Sequence, residues 1–95
     1  MSELRYGIIG TGMMGVEHIH NLLHVEGAEI TALSDPDRGS LDTASALVPD
    51  ATTFADHRGL VESGRCDAVV IASPNMTHVD VLDDVLRSDL HVLVE

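Results

Sequence analysis

Ninety-five residues of 10.1 kDa make one small domain, near the size at which a single hydrophobic core sustains itself, and 44% hydrophobic with 22% charged residues excludes a disordered chain. Sixteen acidic residues against five basic ones give a formal charge of −11, which excludes ordinary phosphate-backbone recognition and argues against nucleic acid and anionic membrane surfaces as partners. One cysteine, no leader-like stretch at residues 1–5 and no apolar run of spanning length give the expectation of a soluble, cytoplasmic protein.

In chain order, Leu4 to Ile9 is a short apolar strand that runs into glycines. Met13 to Val25 has helical spacing, with Met14, Ile19, Leu22 and Leu23 as its apolar positions. Glu29 to Ser34 reads as a second strand closed by Asp35-Pro36-Asp37. Asp37 is placed to cap a helix through Leu41, Ala44 and Leu47 that stops before Pro49. Thr52 to Phe54 is a minimal strand, and Asp56 starts a short helix through Leu60 and Val61 that Gly64 ends. Asp67 to Ala72 is the clearest buried parallel strand. Thr77 and Asp80 have helix-capping spacing before a stripe of Val79, Leu82, Val85 and Leu86, with Asp83, Asp84 and Arg87 on a solvated face. His91 to Val94 begins a last strand. Alternation of this kind predicts an α/β fold: a doubly wound parallel sheet of about five strands, Rossmann-type, in one domain over residues 1–95.

The sharpest motif is Gly10-Thr11-Gly12-Met13-Met14-Gly15, a G-x-G-x-x-G that follows a predicted strand and opens a predicted helix. Gly10 permits the tight turn, Gly12 lets backbone approach a pyrophosphate, and Gly15 allows close helix–strand packing. Free N–H groups and the positive dipole end of the helix favour a diphosphate, so a chain this acidic can bind an anionic dinucleotide without basic side chains. Asp35, about twenty residues on, can accept hydrogen bonds from the adenosine ribose hydroxyls and repel a 2′-phosphate, which favours NAD over NADP. Arg38 leaves NADP open, since it can stack on adenine or receive that phosphate. Ser73, Pro74, Asn75 and His78 follow the fourth strand, where the middle and nicotinamide side of the cofactor should pass.

Together the G-T-G-M-M-G turn, the S-D-P-D end of strand two, the A-S-P-N-x-x-H segment and the closing H-V-L-V-E resemble the N-terminal domain of the Gfo/Idh/MocA oxidoreductases, the glucose–fructose oxidoreductase and inositol dehydrogenase family. The resemblance implies that Gly10, Thr11, Gly12, Met13 and Met14 hold the diphosphate and that Asp35 and Arg38 surround the adenosine ribose. It implies that Ser73, Pro74, Asn75 and His78 line the cofactor toward nicotinamide. Glu95 corresponds to the first residue of the family's E-K-P motif, whose lysine assists proton transfer at the substrate hydroxyl. The chain contains no lysine, and its expected truncation after Glu95 leaves no catalytic residue within it. The implied activity is hydride transfer between nicotinamide and a sugar- or polyol-like substrate, with a second domain supplying the substrate contacts; the 95-residue chain alone is expected to be inactive. The alternatives are a stand-alone, non-catalytic dinucleotide-binding module and a fragment that binds nothing.

Other signals are smaller. His20 and His24 can share a helix face, without a third metal ligand in view, so no metal is expected. His57 and His91 read as surface residues, Cys66 as a small inert apolar group, and Met13 and Met14 as turn contacts and core filler. An uncovered sheet edge predicts a homo-oligomer. Abundant acid with no lysine predicts a protein adapted to concentrated salt, where screening removes self-repulsion.

Overall fold

Hydrophobic periodicity switches between two and three to four residues along the chain, and the backbone follows it. In the computed structural model, which describes residues 4–72, 83–88 and 90–94 apart from the side chains of Met14, Leu93 and Val94, strands and helices alternate. They are β1 (Leu4–Ile9), α1 (Met13–Leu23), β2 (Ala28–Ser34), α2 (Arg38–Leu47), β3 (Thr52–Phe54), α3 (His57–Glu62), β4 (Ala68–Ile71) and β5 (His91–Val94), with residues 83–86 also helical. The strands form one five-stranded sheet in the order β3-β2-β1-β4-β5, every neighbouring pair parallel. Strand order therefore reverses between β1 and β4, the place where open parallel sheets receive ligands beyond the carboxyl ends of their strands.

Both sheet faces are covered, as a parallel sheet requires. On one, Ile8, Leu33 and Val70 meet Ile19 of α1 and Leu41 and Ala44 of α2. On the other, Ile9, Ala32, Val69 and Ile71 meet Leu60 of α3, Cys66 and Val85. One irregularity sets this partition. Thr31 is an extra residue between the pairs Tyr6↔Ile30 and Gly7↔Ala32, so side-chain alternation changes phase and Ile30 and Leu33 join the same layer. The Thr31 hydroxyl donates to the Arg65 carbonyl at 2.5 Å, which ties the bulge to the loop before β4.

The helix starts are capped as their sequences predict. Asp37 accepts from the Ser40 N–H at 3.0 Å and its hydroxyl at 2.7 Å, and Asp56 accepts from the Arg58 N–H at 3.0 Å. At the other end of the sheet Arg5 makes a two-pronged contact with Asp67, Nε to Oδ2 at 3.2 Å and a terminal nitrogen to Oδ1 at 3.0 Å, which joins β1 to the entry of β4. Arg5 thereby holds the Asp67 carboxyl below the usual range, and burial pushes the Cys66 thiol up, consistent with an inert cysteine.

Several sequence expectations need correction. α1 ends at Leu23 rather than Val25, because its last N–H groups turn to carbonyls three residues back, His24 to Asn21 and Val25 to Leu22. Leu23 then lies 52% exposed instead of in the core, and half-buried Val16 packs there instead. Leu86 is 66% exposed, since Val85 alone of that pair points at the sheet. His57 and Asp84 are no solvated pair: His57 Nε2 lies 2.6 Å from Asp84 Oδ2, with the imidazole only 17% exposed. Arg58 Nε donates to the same carboxylate at 3.1 Å, and together these neighbours hold the Asp84 carboxyl below the usual range. This cluster joins α3 to the helical residues 83–86. The predicted cap at Thr77 and Asp80, with Val79 and Leu82, falls outside the described residues.

Candidate functional site: a glycine turn beside the β2 carboxylate

The chain leaves β1 at Ile9 and must enter α1 within a few residues, directly where the strand order reverses. Gly10 makes the turn with φ of 98°, a left-handed conformation that glycine alone adopts without strain, and donates to the Ser34 carbonyl at 2.8 Å. A Cβ on Gly15 would stand 1.9 Å from the Gly10 carbonyl oxygen, so only glycine lets α1 lie this close to the turn. Gly12 differs. A Cβ there would meet nothing within 4 Å, and the residue is exposed. The fold gives Gly12 no packing reason to be glycine and leaves open space in front of its backbone.

Gly12 is also the N-cap of α1 and brings no side chain to cap it. The N–H groups that open this eleven-residue helix stand at its positive dipole end, an arrangement suited to phosphate. Met13, read from sequence as turn contact and filler, is 87% exposed at this same position; the short turn points its side chain outward, so it is no part of the core. The Met14 side chain lies outside the described residues.

Next to the turn, Asp35 ends β2. The register pairs Ile9 with Ser34, so the residues that follow each strand end must meet. Asp35 Oδ2 accepts from both the Thr11 N–H, at 2.7 Å, and the Thr11 hydroxyl, at 3.0 Å; Oδ1 accepts from the Asp37 N–H at 2.8 Å. Thr11 is 1% exposed. Its hydroxyl and N–H thus both face the Asp35 carboxylate, a pairing that the sequence reading missed. The signal was present: two parallel neighbours whose ends carry Thr and Asp. Arg38, by contrast, has an 87% exposed side chain that pairs with Asp42 at 3.4 Å. Ser73, Pro74, Asn75, His78 and Glu95 lie outside the described residues. Among the described residues no three His, Cys, Asp or Glu side chains gather as a metal site, and no helix is long and apolar enough to cross a membrane.

A dinucleotide fits this site on three counts: uncapped N–H donors for the diphosphate, open space where a Gly12 Cβ would stand, and a carboxylate one strand over. Comparison with known proteins agrees. The model of the family described as oxidoreductase family, NAD-binding Rossmann fold (GFO_IDH_MocA) matches residues 4–95. The chain belongs to this family. The Gfo/Idh/MocA domain is 36% identical over 93 residues to an inositol 2-dehydrogenase of Pseudarthrobacter chlorophenolicus, covering 97% of this chain and 28% of the relative. It is 33% identical over 104 residues to a glycosyl hydrolase family 109 protein of Shewanella woodyi, of which it covers 22%. It superimposes with a TM-score of 0.92 at 29% identity on the crystal structure of myo-inositol dehydrogenase from Lactobacillus casei in complex with NAD(H) and myo-inositol, covering 97% of this chain and 28% of that one. The chain therefore spans about 28% of the length of the inositol dehydrogenases it matches.

Proposed function

We propose that residues 1–95 are the dinucleotide-binding domain of an NAD-dependent dehydrogenase that moves a hydride between nicotinamide and a carbinol carbon of a polyol of the inositol class. The observation that carries this reading is the open Gly12 position on an uncapped helix start, beside a β2 carboxylate, in a chain of this family. The relatives' names supply the substrate class.

In this reading the backbone of Gly10, Gly12, Met13 and Met14 holds the diphosphate. Asp35 and Arg38 flank the adenosine ribose, with Asp35 favouring NAD. Ser73, Pro74, Asn75, His78 and Glu95 line the nicotinamide half, on the strength of their sequence pattern. The bound nicotinamide supplies the hydride acceptor; the chain orients it and keeps its diphosphate on neutral donors. No lysine is present to move the hydroxyl proton, so that role falls to sequence outside these residues. The test is the product of the complete reading frame, incubated with NAD and myo-inositol while reduced nicotinamide is followed by absorbance. Inositol-dependent reduction supports the reading. No reduction with any polyol, combined with glycoside cleavage, would move the protein to the reaction named for the Shewanella relative.

The setting follows from charge. A formal −11 without lysine fits a cytoplasm rich in salt, where a Debye length of roughly 3 Å at 1 M screens self-repulsion. The melting temperature should rise as KCl is increased toward about 1 M; a flat response would remove this part of the proposal.

A further inference from the structure

The Asp35 carboxylate is already engaged before any ligand arrives. A carboxylate offers about four acceptor positions, and among the described residues three are filled: two on Oδ2 by Thr11 and one on Oδ1 by the Asp37 N–H. The remaining acceptor is on Oδ1. Thr11 cannot turn its hydroxyl toward solvent, since the residue is 1% exposed. Asp35 is tethered on its own backbone as well, where its N–H donates to the Phe54 carbonyl at 3.1 Å.

We propose that Thr11 is a positioning residue for cofactor selectivity: its buried hydroxyl clamps Asp35 so that one fixed acceptor meets one ribose hydroxyl and the charge cannot swing away from a 2′-phosphate. The inference rests on the dinucleotide reading of the site. It differs from a general role in the glycine turn, because a turn-shaping residue would affect both cofactors alike. A free carboxylate could rotate to admit the extra phosphate; a carboxylate bonded at both oxygens loses bonds when it does so. Specificity at this position then comes from immobility as much as from charge.

The test uses Thr11→Val, which deletes the hydroxyl and keeps volume and N–H, beside Thr11→Ser, which restores the hydroxyl. NADH and NADPH are titrated separately into each. Freeing the carboxylate should raise the Kd for NADH about tenfold and lower that for NADPH, compressing the ratio at least about tenfold; Thr11→Ser should restore it. Equal weakening of both cofactors would overturn the proposal in favour of a turn-shaping role. A second measurement needs no cofactor. The Thr11 amide should exchange slowly with solvent in the wild type and in Thr11→Ser, and fast in Asp35→Ala. A fast-exchanging Thr11 amide in the folded wild type would show that no clamp exists. If the amide is protected and the wild type binds neither cofactor, the dinucleotide reading itself fails, and the selectivity role with it.

Discussion

Replacing Gly12 by alanine separates folding from binding, because the fold and the proposed ligand ask different things of that position. For folding, the added Cβ meets nothing within 4 Å, and the φ of −73° lies on the side of the map that L-residues occupy. Two small effects oppose each other: reduced freedom of the unfolded chain stabilises by about 0.4–1 kcal/mol, while alanine is a poorer N-cap than glycine by a comparable amount. The net change should stay within about 1 kcal/mol, a shift in melting temperature of no more than about 4–8 °C for a domain of this size. For binding, the methyl group stands where the diphosphate would approach the first-turn N–H groups. Displacing it should cost one or two charge-assisted hydrogen bonds, roughly 3 kcal/mol, or more than a hundredfold in Kd. Thermal denaturation and nicotinamide fluorescence on the same samples read both quantities. Binding of NADH by Gly12→Ala with wild-type affinity would refute the placement of the diphosphate. A collapse in stability would refute the claim that the position is free.

Gly15→Ala should do the reverse, since its Cβ would overlap the Gly10 carbonyl at 1.9 Å; overpacking of this kind costs about 1–3 kcal/mol or more, read as a lowered urea midpoint even without cofactor. Leu33→Ala, at 0% exposure between α1 and α2, should cost about 2–5 kcal/mol by cavity formation with no change in NADH affinity per folded molecule. For pH, Asp84 has a folded pKa lowered by hydrogen bonds from His57 and Arg58, so its contribution is present above the unfolded carboxylate value and is lost as pH falls through the lowered one. The advantage of wild type over Asp84→Asn in melting temperature should therefore hold at pH 7 and shrink below about pH 4; a difference independent of pH would contradict the linkage.

The parts of the fold legible in sequence were those with local causes. Asp37 and Asp56 cap helices through contacts two or three residues away, and the apolar run of β4 names its own burial. The glycine turn was legible for the same reason, since Gly10 and Gly15 each answer a local backbone demand. What escaped depends on residues distant in sequence. His57 looks like a surface residue at a helix start until Asp84, twenty-seven positions on, is brought against it. The Thr31 bulge, which moves Leu33 into the layer of Ile30, leaves no mark in an alternating pattern because both neighbouring residues are apolar. The contact of Thr11 with Asp35 escaped likewise, because it depends on the pairing of β1 with β2.

The central claim is that this acidic chain holds a dinucleotide on backbone donors and selects NAD through Asp35. Its most direct test is titration of the folded wild-type chain with NADH and NADPH, separately, in about 1 M salt to screen the overall charge, with nicotinamide fluorescence as the signal. The account predicts saturable binding of NADH that persists in salt, with NADPH weaker. No change with either cofactor, in a chain shown by circular dichroism to be folded, would contradict it, as would tighter binding of NADPH.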